Sequence, residues 1–212
     1  IDLFESRRKL EQAMAALDER NAQLEVEVSE RRRAEEEARH LATHDALTTL
    51  PNRLLFMDRL DAAIKRARRS GGNFALGYMD LDGFKPVNDQ FGHAAGDALL
   101  CEVARRMREN TRESDTAARL GGDEFAVIFN DVSKPADILK IAEKLWQRIT
   151  GAATVPNGGG DVEVHIGLSL GVAIYPDDGK APDELMHAAD VALYEVKKQG
   201  KAGCGLYRAT DS

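Results

Sequence analysis

At 212 residues, with 43% hydrophobic residues and no apolar run long enough to span a bilayer, the chain fits one ordinary domain plus an appendage. A formal charge of -7 argues against nucleic acid as a bulk partner, although clustered Lys and Arg can still serve a small phosphorylated ligand. Two cysteines, Cys101 and Cys204, are too few and too scattered for a disulfide framework or a zinc site, and they fit a reducing cytosol. Ile1 to Arg8 is charged and runs straight into a helical pattern, unlike a signal peptide. A cytoplasmic location is therefore expected, with any membrane attachment lying upstream of Ile1.

From Leu3 to Leu41 there is no Gly or Pro, and Ala, Leu, Glu and Arg dominate. Strong helix formers without breakers predict one long helix. Leu3, Leu10, Leu17 and Leu24 recur at one heptad position, with Met14, Asn21 and Val28 at the other. That is the a/d seam of a coiled coil, and Asn21 at an a position favours a parallel, in-register homodimer. The competing reading is an amphipathic helix packed on its own domain, which would need a broader apolar face. Arg31 and Glu35 then fall on the seam, and Ala34, Ala38 and Leu41 restore an apolar stripe only after a phase shift. Residues 1–43 are thus expected to form a dimerising, signalling helix, and 44–212 a separate domain.

Thr48 to Arg53 is a turn-rich connector. A helix is predicted from Leu54 to Arg69, ending at Gly71-Gly72, and Phe74 to Met79 is a short apolar run read as the first core strand. Asp80-Leu81-Asp82-Gly83 reads as an acidic turn ending that strand. Phe84 to Phe91 is a short helical or looped insert, and Gly96 to Asn110 a clear helix with Leu99, Leu100, Val103 and Met107 on its core face. A strand at Thr116 to Leu120 leads to Gly121-Gly122-Asp123-Glu124, read as a tight hairpin into the strand Glu124 to Phe129. Beyond it come a helix from Pro135 to Thr150, a loop at Asn157 to Gly160 and a long strand from Val162 to Tyr175. A helix from Pro182 to Lys198 and a final strand to Tyr207 close the pattern. The order predicts an α+β fold, a central mostly antiparallel sheet flanked by helices, preceded by the long coiled-coil helix. A bare Gly-Gly-Asp-Glu is more often a solvated turn than a site. Here a second acidic segment also follows a buried strand, and two such strand ends can converge on one divalent cation, which takes hard oxygen ligands.

Gly121 to Phe125 spells GGDEF, and the chain resembles the GGDEF-domain diguanylate cyclases. Further blocks agree in order and spacing: Asp45-Ala46-Leu47-Thr48, Leu50-Pro51-Asn52-Arg53, Asp80 to Lys85, Asn88-Asp89, Phe91-Gly92-His93 and Gly96-Asp97. Ser169 to Ala173, Ala189-Asp190 and Ala192-Leu193-Tyr194 follow. The likeness runs from about His44 to Tyr207 and implies a sheet related to the palm of nucleotidyl cyclases and polymerases. It also implies a reaction, the condensation of two GTP into cyclic di-GMP and two pyrophosphates.

The resemblance further implies a Mg2+ (or Mn2+) site on Asp80, the Leu81 carbonyl and Asp123, with Glu124 as a second ligand. Asp123 is the candidate base and Glu124 its alternative, the division between them left open. Lys85 would steady phosphate charge, Asn88 and Asp97 would read guanine, and Lys197 and Lys201 would hold the terminal phosphates. Two departures stand out: Thr49 where members usually carry Gly, and Lys201-Ala202 where Arg-Asn is common. Arg112-Glu113-Ser114-Asp115 matches the family's RxxD, where cyclic di-GMP binds and inhibits. The rival implied by the same likeness is a catalytically inactive GGDEF domain that binds GTP or cyclic di-GMP and regulates a neighbouring module.

Overall fold

The computed structural model describes residues 2–132, 134–200 and 202–208. The chain divides into two units, Ile1–Ala42 and Thr43–Ser212. The first is the helix α1, Asp2–Thr43, which runs unbroken through the Arg-rich stretch. There Arg31 Nε meets Glu35 at 2.9 Å, an exposed i,i+4 pair that adds a few tenths of a kcal/mol, ~0.3–0.5, to helix stability. Met14, Leu17, Leu24 and Val28 are all exposed on α1. No described helix is long and apolar enough to cross a membrane.

In the second unit the helix α2, Arg53–Ser70, begins where the Asn52 side chain accepts a hydrogen bond from the Leu55 amide at 3.1 Å. It ends at Gly71, whose φ of 67° supplies the left-handed cap. The strand β1, Phe74–Asp82, lies at the centre. The short α3, Phe84–Phe91, and the longer α4, His93–Asn110, follow. Strands β2, Thr116–Gly121, and β3, Glu124–Phe129, form the glycine hairpin. A 3₁₀ turn at Pro135–Asp137 leads into α5, Ile138–Ile149. Then come β4, Gly151–Asn157, β5, Gly160–Tyr175, α6, Pro182–Lys198, and β6, Cys204–Leu206.

The sheet order is β2-β3-β1-β5-β4, with β6 beside β5. Every pair is antiparallel except β5 with β6. The fold is therefore the α+β sheet with flanking helices that the pattern predicts. Two details differ. Gly151–Asn157 carries only Thr154 and Val155 as strong strand formers, so nothing in its own composition marks it as a strand. It becomes β4 because the Gly158-Gly159 turn folds it back on the long β5. And Asp80 to Asp82 do not form a turn after β1; they are its last three residues, all paired with β5, and Asp80 with β3 as well.

Side chains alternate along a strand, so β1 feeds two cores. Ala75, Met79 and Leu81 pack with Phe125, Val127 and Phe129 under α4 and α5. Phe74, Leu76 and Tyr78 pack with Ala126 and Ile128 under α2 and α6. Trp146 belongs to the first of these and donates its indole N–H to the Leu168 carbonyl at 2.7 Å, a packing role.

The connector between α1 and α2 contains a strained residue. Thr49 has φ 59°, a left-handed conformation that a β-branched side chain seldom adopts. Arg108 compensates by donating to the Thr48 carbonyl and the Thr49 hydroxyl, each at 2.9 Å. The turn therefore keeps its shape without glycine. Left-handed backbone costs an L-residue roughly 1–2 kcal/mol, and glycine's extra unfolded-state entropy returns about half of that. Thr49→Gly is expected to raise stability by roughly 0.5–1 kcal/mol, read from urea unfolding. A loss instead would show that the Arg108 contact outweighs the strain.

Candidate active site

Period-2 alternation decides where the acids point. Asp80 and Asp82 share a face with Tyr78, and Glu124 shares it through its pairing with Asp80. The carboxylates thus sit at the α2/α6 side of the sheet, at the end of β1 and the start of β3. Gly121, at φ 147°, ends β2 opposite Glu124, and Gly122, at φ 52°, makes the two-residue turn together with Asp123. The Leu81 amide donates to the Asp123 carbonyl at 3.2 Å, which ties the turn's backbone to the end of β1.

Each acid has a different environment. Asp80 Oδ1 pairs with Lys197 Nζ of α6 at 2.7 Å. Burial pushes the Asp80 carboxyl above the usual range, Lys197 opposes it, and the Asp123 and Asp82 charges add to the rise. Glu124 accepts from the Tyr78 hydroxyl at 2.6 Å and lies 3.5 Å from Arg53 of α2. Burial, and then Glu124 itself, push the Tyr78 phenol well above its ordinary value. Asp82 accepts from the Ser169 hydroxyl at 2.9 and 3.0 Å and from the Ala202 amide at 3.0 Å. It is a structural anchor, joining the end of β1 to β5 and to the segment after α6. Ala202 stands at φ 51°, a conformation that Asn tolerates better than Ala. Asp123 has no side-chain hydrogen bond or ion pair among the described residues.

The turn is braced from the connector. Arg119 donates to the Gly122 carbonyl at 2.8 and 3.0 Å and to both Asp45 oxygens at 3.0 and 3.2 Å. Burial pushes Asp45 upward, but hydrogen bonds from Thr48 and Arg119 outweigh it and leave the carboxyl below its usual range.

Among the described residues no three His, Cys, Asp or Glu side chains form a self-sufficient metal cage. That suits magnesium, which takes one or two carboxylates and completes its shell with substrate phosphates and water. A half-buried Asp80, crowded by two other acids and balanced by a lysine ammonium, marks a place that holds positive charge. The donor set fits a hard divalent cation.

The remaining candidates lie elsewhere. Asn88 of α3 packs against Gly96 of α4, one residue before Asp97; a methyl group at Gly96 would overlap the Asn88 amide. Lys85 and Asp97 are exposed, and no hydrogen bond or ion pair joins either, or Asn88, to the carboxylates. Lys201 lies outside the described residues. Arg112 and Asp115 close a turn of their own: Asp115 accepts from the Arg112 amide at 3.2 Å and from the Asn130 amide at 3.0 Å. Burial raises the Asp115 carboxyl, with those amides opposing. The pair borders a cavity of about 580 Å3 whose rim also carries Lys140, Lys144 and Arg148. Those three cations, like Tyr78, carry no signal in a linear reading, and Arg53 and Ser169 stand in motif blocks without a role there, because each becomes relevant only through strand register or helix docking.

Residues 42–203 match the family described as "Diguanylate cyclase, GGDEF domain". The chain is 48% identical over 198 residues, 93% of its length, to the bifunctional diguanylate cyclase/cyclic di-GMP phosphodiesterase MucR of Pseudomonas aeruginosa. It is 40% identical over 172 residues, 81% of its length, to diguanylate cyclase TpbB of the same organism. It spans only 28% of MucR and 39% of TpbB, so it corresponds to one part of each. Among solved structures, the coiled coil and GGDEF domain of DgcB from Caulobacter crescentus, in complex with c-di-GMP, aligns with a TM-score of 0.81 at 30% identity. That alignment covers 90% of this chain and 98% of DgcB's. From the GGDEF hairpin outward, in sequence and in fold, the chain belongs to the GGDEF diguanylate cyclase family.

Proposed function

We propose that the chain is a diguanylate cyclase, working as a dimer and dependent on Mg2+ or Mn2+, that joins two GTP into cyclic di-GMP. The observation that carries this is the convergence of Asp80, Asp123 and Glu124 at the paired ends of β1 and β3, with Lys197 beside them. GGDEF cyclases are typically metal-dependent. The bound ion would be held by Asp80, the Leu81 carbonyl and Asp123, and would neutralise phosphate charge and favour the ionised hydroxyl.

The chain's residues supply the rest. In each half-reaction the 3′-oxygen of one GTP forms a bond to the α-phosphorus of the other. The bond from that phosphorus to the pyrophosphate breaks, and the hydroxyl proton passes to a carboxylate. Asp123 is that acceptor here, since its carboxylate is uncommitted while Glu124 is held. Asn88 stands on α3 and Asp97 on α4, neither bonded to the acids, which suits a ligand with guanine at one end and phosphates at the other. A carboxylate at Asp97 accepts from guanine N1–H and its amino group, and meets an acceptor at adenine N1. Lys197 turns from Asp80 to the phosphates as they arrive, and Lys85 and Lys201 add positive charge. One domain holds one GTP, so residues 1–43 would bring two copies of the domain 44–212 together at high local concentration. The exposed stripe of Met14, Leu17, Leu24 and Val28 supports that coiled coil.

Chromatography of the purified chain incubated with GTP and magnesium tests the reading. Cyclic di-GMP and pyrophosphate in a 1:2 ratio are expected. Absence of product, also when the helix is replaced by strong leucine zippers in each register, would leave a non-catalytic nucleotide-binding domain. The cavity beside Arg112 is assigned to product by the same reading. Arg112→Ala is expected to raise the cyclic di-GMP concentration needed for half-inhibition by about 10-fold or more, the loss of one desolvated bidentate contact. Unchanged inhibition would sever that cavity from regulation.

A further inference from the structure

Glu124 is gripped unevenly. One carboxylate oxygen, Oε1, takes the Tyr78 hydroxyl at 2.6 Å; the other, Oε2, faces Arg53 Nη2 at 3.5 Å. The two partners differ in kind. Tyr78 is 8% exposed, its ring packed in the core under α2 and α6, so its oxygen is the fixed end of a rigid group. The Arg53 side chain is 55% exposed at the start of α2, and an ion pair of that length on the surface is weak. Tyr78 also lies two residues before Asp80 on the same face of β1, and Asp80 is the register partner of Glu124. One buried hydroxyl therefore sets the orientation of the acid directly opposite Asp80.

We propose that Tyr78 is a positioning residue for the cation site. By fixing Oε1 of Glu124 it leaves Oε2 as the oxygen a divalent cation takes, and Arg53 is the exchangeable occupant that the cation displaces. The inference rests on the cation-dependent reading above and deepens it: Glu124 adds a pre-oriented ligand to Asp80, the Leu81 carbonyl and Asp123, whose second oxygen stays open for the proton. Hydrogen-bonding partners of ligating carboxylates hold them in the productive rotamer, and their removal typically costs about 10–100-fold in metal affinity or activity.

The test uses the whole chain with Tyr78→Phe and Arg53→Ala, Mn2+ as the probe, and electron paramagnetic resonance to count free ion. Tyr78→Phe keeps the ring and deletes one hydroxyl. It is expected to weaken Mn2+ binding by about 10-fold and lower kcat by a similar factor, with KM for GTP within about twofold. Arg53→Ala removes the competitor and is expected to tighten Mn2+ about threefold, the scale of a weak surface ion pair. Mn2+ affinity of Tyr78→Phe within twofold of the parent would overturn the proposal, even if its melting temperature fell. A parent chain that binds no Mn2+ even with a non-hydrolysable GTP analogue present, whose phosphates complete the shell, would instead overturn the cation-site reading and this inference with it. If Tyr78→Phe fails to fold, unaltered or weaker Mn2+ binding in Arg53→Ala is the overturning result.

Discussion

Asp123→Ala is expected to lower kcat for cyclic di-GMP formation by roughly 10³-fold, the scale of losing a positioned general base. The fold should survive the change, for local reasons. The Asp123 side chain makes no hydrogen bond or ion pair among the described residues, so its removal leaves no orphaned partner. What holds the turn is backbone: Leu81 N–H on the Asp123 carbonyl, and Arg119 on the Gly122 carbonyl. Alanine keeps both. Unfolding in urea should therefore match the parent within about 0.5 kcal/mol, the usual range for a change away from packed or paired groups. Asp123→Glu is the companion variant and should retain activity, because it keeps an uncommitted carboxylate at the same turn. Asp80→Ala would be less clean, since it strips Lys197 of its partner. Activity of Asp123→Ala within about tenfold of the parent would move the proton acceptor to Glu124 and leave the ligand assignment to be redrawn.

The second large effect comes from α6, which packs on the same face of the sheet as the carboxylates. Gly171 on β5 pairs with Tyr78 on one side and Gly205 on the other, and α6 crosses directly over it. A Cβ at Gly171 would overlap the Ala189 carbonyl oxygen and the Leu193 amide of α6, which are main-chain atoms that no rotamer change can move. Gly171→Ala must therefore lift α6 from the sheet or bend β5, and α6 contributes Leu185, Ala188, Ala189 and Leu193 to the core. A loss above about 4 kcal/mol is expected, enough to unfold a marginally stable domain. The same helix carries Lys197, so any folded remainder should also lose the Lys197–Asp80 pair at the site. A change below about 1 kcal/mol in urea unfolding would show that the close approach is not required.

Much of the architecture was legible along the chain, because hydrophobic period, glycine and proline are local signals. The long helix, α2, α4 and α6, the hairpin and β5 all follow from periodicity and breakers within a few residues of each other. β4 was not, because its pairing comes from the strand it folds onto and not from its own residues. The acidic pair at Asp80 and Asp82 shows the same limit from the other side. Asp is a poor strand former, so the local pattern reads as a turn, yet β5 pairs with both acids, and β3 with Asp80, and they end β1 as strand.

For the site, the motif blocks carried the family resemblance, and that resemblance named the candidate acids, the lysines, the candidate guanine-reading pair and the RxxD. Sequence could not divide the work between Asp123 and Glu124. That depends on strand register, which places Glu124 opposite Asp80 and within reach of Tyr78 and Arg53, and leaves Asp123 alone at the turn. Chemistry-bearing residues are written in the chain because each reaction demands particular atoms. Which oxygen is held and which is free is decided only when distant segments pack, since one hydroxyl 46 positions away determines it.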